Sequence, residues 1–252
     1  MILPVVGGFA AVVLLTSVRD RLPFRTAVHS PSVSASQDTQ RQPSGTYHQA
    51  QAKVEAERKA LLTSYMRATT SAEKEAVIDR AREVLAHSVN DLFEFWYGTP
   101  WDFYGTTETP GQGKIACGYF VTTVLRDVGL KVQRTKLAQQ ASENIIRGLT
   151  SEAHIKRYRL KAIGDFVEDV KKSGSGVYIV GLDIHVGFII NSDGEVYFVH
   201  SSYMNPARVV KERALGSTIL AASKYRVLGK ISANDELILK WLRGDLVTTR
   251  AA

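Results

Sequence analysis

The sequence predicts an α+β fold: helices come first, and a helix bearing a cysteine is then laid against an antiparallel β-sheet. Three observations carry this. Stretches between residues 49 and 149 repeat their apolar residues at helical spacing. After Gly176 the texture changes to short β-branched and aromatic runs, "GVYIVGL", "HVGFII", "EVYFVHSS" and "KYRVLGKI", separated by turn residues. The break between the first helices and the cysteine is a loop dense in Gly, Pro and Thr, "YGTPWDFYGTTETPGQGK".

Composition sets the frame. The chain has 252 residues, 44% hydrophobic and 23% charged, which suits one core with an appendage rather than a disordered polymer. Its net charge of +7 favours anionic partners, such as lipid or an acidic polymer. No stripe of Lys and Arg interleaved with aromatics accompanies that charge, so a nucleic-acid partner is not expected.

In chain order, residues 1–18, "MILPVVGGFAAVVLLTSV", form an uncharged apolar run followed at once by Arg19, Arg21 and Arg25. A membrane span needs roughly 20 such residues. The run reads as an export signal or an uncleaved membrane anchor, with a buried terminal segment as the plainer alternative. Residues 19–48 read as a tether, since "HSPSVSASQDTQRQPSGT" is rich in Ser, Gln and Pro. Residues 49–94 are helical. The second helix opens at Thr70 or Ser71 with Glu73 in its first turn, a capping signature. Both helices read as elements packed on a domain or as a hairpin spacer.

Residues 95–252 hold the chemistry. Phe120, Val121, Val124, Leu125 and Val128 recur at helical spacing after Cys117, and Gly129 supplies a stop. Ala138–Leu149 reads as one further helix, Asp165–Lys172 as a short one, and "ANDELILKWLRG" as a closing amphipathic helix. "NSDG" reads as a four-residue hairpin loop.

Cys117 is the single cysteine, so no internal disulfide forms. At a helix start, unpaired N–H groups and the helix dipole lower a thiol's pKa. A thiolate nucleophile also needs a base and a group to orient it. Of six histidines, His29 and His48 lie in or beside the tether, and His87 and His154 in helical or loop stretches. His185 and His200 flank the hairpin. A four-residue loop makes them direct cross-strand partners on one face, with Cβ atoms about 5 Å apart. If the Cys117 helix packs on that face, Cys117 is the nucleophile, His185 its base and His200 the residue that fixes the base's tautomer. The plainer readings are a packing cysteine and strand histidines with satisfied hydrogen bonds. Two histidines and one cysteine lack the close-spaced pair and fourth ligand of a zinc site. Neither a metal nor a cofactor is implied.

These stretches together resemble the NlpC-type cysteine peptidases of the papain-like superfamily, with CHAP-type amidases as near relatives. The matching segments are "YGTPWDFYGTT", "IACGYFVTTVLRDVGL", "IGDFVEDV" and "HVGFIINSDGEVYFVHSS", spanning roughly Phe95 to Ser202. The resemblance implies a papain-like fold and cleavage of amide bonds in peptidoglycan peptides at the bacterial cell envelope. It assigns Cys117, His185 and His200 to catalysis, and Trp101, Tyr104 and Gly118 to the substrate cleft. The chain departs from the pattern at Ala116, where the family usually has Asp, and at Gly118, where it has Ser. Tyr104-Gly105 replaces a double glycine. Acyl transfer to an amine or lipid acceptor, and a catalytically silent binding module, are the rival functions.

Overall fold

The computed structural model describes residues 45–248. The apolar run at 1–18 and nearly all of the tether lie outside the described residues. Thr46 caps α1 (Tyr47–Arg67) and Thr70 caps α2 (Ser71–Trp96). In each, the threonine hydroxyl accepts from the N–H three residues on, and Gln49 or Glu73 reaches back to the cap N–H. The first helix therefore takes in the last two residues of the expected tether.

The chain continues through α3 (Cys117–Asp127), β1 (Lys131–Val132), α4 (Arg134–Ala138), α5 (Ser142–Leu149), β2 (Ile155–Arg159), α6 (Ile163–Lys172) and β3 (Gly176–Leu182). It ends with β4 (Val186–Ser192), β5 (Glu195–Ser201), β6 (Val209–Arg213), α7 (Thr218–Ala222), β7 (Tyr225–Lys230), α8 (Asp235–Arg243) and β8 (Leu246–Val247). The fold is α+β. Six strands form an antiparallel sheet in the order β2-β7-β3-β4-β5-β6, and β1 pairs with β8 in parallel. Among the described residues no helix is long and apolar enough to cross a membrane.

Helices cover both faces of the large sheet, and side-chain alternation along each strand decides which face a residue serves. Val186, Phe188, Ile190 and Val199 share a core with Phe93 of α2, Phe120 and Val121 of α3 and Ile146 of α5. Phe188 sits 4.9 Å from Phe93 and 6.0 Å from Phe120, ring centre to ring centre. Ile189, Val196 and Phe198 point the other way, onto Phe166, Val167 and Val170 of α6 and Leu220 of α7. The two long helices belong to the first of these cores through Val54, Leu85, Leu92 and Trp96.

Two local expectations are corrected. The helix expected over Ala138–Leu149 is two, α4 and α5, separated at Gln139–Ala141. α4 ends where it crosses the first turn of α3: a Cβ on Gly118 would stand 2.5 Å from the Ala138 carbonyl oxygen. The hairpin loop has two residues, not four. Asp193 and Gly194 both have positive φ, 51° and 85°, so Ser192 pairs with Glu195. The register therefore differs by two residues from the expected one. A shift of two preserves the faces, whereas a shift of one would have inverted them. His185 and His200 stay on the same side as diagonal rather than direct neighbours.

Candidate active site

The turn from Asp183 to His185 places the first imidazole. Asp183 accepts hydrogen bonds from the Lys224 N–H (2.7 Å), the Tyr225 N–H (3.1 Å) and the Ser223 hydroxyl (3.2 Å), which ties the turn to the start of β7. The Leu182 N–H then donates to the His185 carbonyl at 2.8 Å. β5 places the second imidazole, which lies flat on Phe198 with ring centres 3.9 Å apart. Gly187 makes the approach possible. A Cβ there would stand 2.8 Å from His200 Cβ and 2.6 Å from the Phe198 ring.

The two imidazoles meet edge to face, with His185 Nε2 2.9 Å from His200 Nδ1. His200 Nε2 in turn lies 3.3 Å from Glu212 Oε1 on β6. Burial pushes the Glu212 carboxyl upward, but hydrogen bonds from His200 and Ser217 outweigh it and hold the group below its usual range. Burial pushes His200 down against the pull of Glu212, and pushes His185 down to about 3 with help from His200. At neutral pH the chain is a carboxylate and two neutral imidazoles. A carboxylate only accepts, so His200 carries its proton on Nε2 and accepts at Nδ1. His185 therefore carries its proton on Nε2, and its Nδ1 is left bare.

Cys117 reaches this place from the opposite side of the sheet. The condition set by the sequence, that its helix packs on the histidine face, is not met: α3 packs on the Phe188 face. Its first residue instead enters beside the end of the β4–β5 ladder, whose last pair is Phe188 with Val199. Ser201 Oγ holds the incoming segment by donating to the Ile115 carbonyl at 2.7 Å. The sulfur lies against the N–H of Val186, the residue after His185, and against the N–H groups of Gly118 and Cys117 itself. Burial outweighs those three donors, so the thiol pKa is raised. The depressed value expected from the helix start is thereby overturned: desolvation of a nearly buried sulfur costs more than the helix terminus returns. No hydrogen bond joins the thiol to either imidazole. At rest the thiol and both imidazoles are neutral.

The three expected cleft residues fare differently. Trp101 is half-buried, and its ring stands 6.2 Å from that of Tyr203, which is itself 5.2 Å from His185. Tyr104 is exposed on the adjoining loop and packs edge-on against Phe103. Gly118 is enclosed under α4, where absence of a side chain permits close packing. Glu212 was not found by sequence reasoning. It lies in "VVKER", whose charged residues hide the strand. A cavity of about 260 Å³ opens beside it, lined in part by Ser202, Met204 and Lys211. A larger cleft of about 660 Å³, between α2 and the β4–β5 turn, contains none of the site residues.

The chain matches no protein-family model, no curated protein and no solved structure.

Proposed function

We propose that this chain is a thiol hydrolase of the papain-like, NlpC-type class that cleaves an amide bond in peptides of the bacterial cell envelope, with peptidoglycan as the first substrate to try. The observation that carries the reading is the hydrogen-bond chain Glu212–His200–His185, which leaves His185 Nδ1 bare at the residue preceding the N–H that touches Cys117.

In this mechanism Cys117 Sγ attacks the substrate carbonyl while its proton passes to His185 Nδ1. Proton transfer accompanies attack because burial penalises a separated thiolate and imidazolium. The C–S bond forms, and the C–N bond breaks as His185 returns the proton to the leaving amine. Water, deprotonated by His185, then attacks the thioester and releases the acid and the free thiol. His200 and Glu212 spread the charge that His185 acquires. Backbone N–H groups at Cys117 and Gly118 supply donors for the oxyanion.

The test is digestion of purified peptidoglycan fragments, with products and protein weighed by mass spectrometry. Expected are new amine and acid termini, a thioester adduct in acid-quenched samples, and loss of both in Cys117→Ala. Cleavage that survives in Cys117→Ala sinks the proposal.

The raised thiol pKa and the missing thiol–imidazole hydrogen bond favour a second reading, a catalytically silent binding module. Iodoacetamide separates the two. The enzyme reading expects alkylation of Cys117 at pH 7 to slow by about 100-fold or more in His185→Ala, the lower end for loss of a general base. The binding module expects equal rates.

A further inference from the structure

Three loops surround the place where Cys117 meets the sheet, and each carries an apolar side chain exposed to solvent. Phe103 and Tyr104 are 71% and 84% exposed, Ile184 80% and Met204 42%. Their loops are fastened together. The Trp101 N–H donates to the Ala207 carbonyl at 2.9 Å, and the Ala116 N–H to the Gly105 carbonyl at 2.8 Å. Tyr203 bridges the rings of Trp101 and His185. Ile184 rides on the Asp183 turn already described. Apolar tips held on pinned loops cannot fold back onto the body, so water bears their cost. Two exposed cations flank them: Arg208, bridged to Pro100, and Lys224, whose N–H binds Asp183. Among the described residues neither cation has a carboxylate within 4 Å, and the nearest charge influence on either is that between Lys224 and the Asp183 carboxylate.

We propose that this face docks on an anionic lipid bilayer, with Phe103, Tyr104, Ile184 and Met204 entering the interface and Arg208 and Lys224 meeting lipid phosphates. Aromatic and aliphatic tips beside cations are the chemistry of an interfacial surface. A second protein would match the apolar tips but leave both cations to be paired by chance. The net charge of +7 agrees in sign. The sequence outside the described residues also opens with eighteen uncharged, largely apolar positions before Arg19. The face rings the Cys117 site and shares Tyr104 with the expected cleft, but its test does not depend on the chemistry proposed for Cys117.

Tryptophan supplies the probe. Of the three in the chain, Trp96 and Trp241 are fully buried, and Trp101 stands at the rim. The full chain is reconstituted in phosphatidylcholine–phosphatidylglycerol vesicles with and without bromine on the acyl chains. Emission is expected to fall in the brominated vesicles. The fall should vanish in Trp101→Phe, vanish in the variant with Phe103, Tyr104, Ile184 and Met204 all changed to Ser, and persist in Cys117→Ala. An unchanged melting midpoint confirms that the fourfold variant is folded, and the four single Ser variants carry the test if it is not. No fall in the unmodified chain overturns the proposal, as does a fall that survives the fourfold change. A dimer in vesicle-free detergent that the fourfold change dissolves overturns it too, by giving the face to a second copy. Since Cys117→Ala is indifferent here and decisive for hydrolysis, failure of one idea leaves the other standing.

Discussion

Glu212 decides which nitrogen of His185 is bare. Replacing it with Gln keeps the shape and adds an N–H donor. The amide carbonyl keeps the hydrogen bond from Ser217, which turns the N–H₂ to donate to His200 Nε2, moves the His200 proton to Nδ1 and makes His185 accept at Nε2. The His185 proton would shift to Nδ1, the atom that receives the Cys117 proton in the proposed mechanism. Glu212→Gln is therefore expected to lower kcat/KM about 10- to 100-fold, the range for loss of an outer orienting partner. Nitrogen-15 NMR of the imidazoles should show both tautomers exchanged, which a loss of packing alone would not produce. The same groups set the acid sensitivity. His185 is held down to about 3 and His200 is also lowered, so the unfolded chain binds more protons once pH drops below about 6.5. Stability is full above that value and falls as pH drops toward 3, by up to about 1.4 kcal/mol per pH unit for His185, and His200, also lowered, adds loss of the same sign. Glu212, held low when folded, adds loss of the same sign below its unfolded value. Urea midpoints between pH 7 and pH 4 should decline, and His200→Gln should flatten the slope.

At the scale of elements, the site depends on how β4 and β5 meet. Gly187→Ala would drive a methyl against Phe198 and His200, so it is expected to cost about 1–3 kcal/mol, the range for overpacking. Its effect on the His200 resonances should exceed that of a surface substitution of equal cost. β3 was legible as "GVYIVGL", and β4, β5 and β7 were legible within a residue or two, because interior strands are continuous apolar runs. β2 and β6 were not. They are the two edges of the sheet, and edges carry charge that discourages further pairing. Lys156, Arg157 and Arg159 on one, and Lys211, Glu212 and Arg213 on the other, erase the period on which strand recognition relies. The carboxylate that meets His200 was therefore hidden by the same charge pattern that protects its strand. The hairpin misjudgement had a smaller cause. Asn191 and Ser192 look like turn residues but extend the ladder, while Asp193 and Gly194 alone take the positive φ that a two-residue loop requires. The histidine pair remained legible because the error was even.

The whole molecule is closed by polar ties between elements far apart in sequence. Tyr47 of α1 accepts from Trp96 Nε1 at 2.9 Å and donates to Asp127 at 2.8 Å, which joins α1, α2 and α3. Trp241 Nε1 of α8 donates to the Val128 carbonyl at 2.7 Å, just past the end of α3. Arg58 of α1 donates to the Trp241 and Leu242 carbonyls at 3.1 and 2.6 Å, sharing the first with the Gly244 N–H at the end of α8. These ties make α1 and α2 part of the body that holds the site, not a spacer that could melt alone. Arg58→Ala removes a charged donor from two carbonyls and is expected to cost about 1–3 kcal/mol. If the helices share the core's stability, the loss appears as one lowered transition. In His185→Ala protein, where no base assists the thiol, helical ellipticity, tryptophan emission and protection of Cys117 from alkylation should then fall together at the same urea concentration. Were α1 and α2 a separate unit, ellipticity would fall first while Cys117 stayed protected. The coincidence of the three signals therefore measures whether the long helices hold the thiol in place.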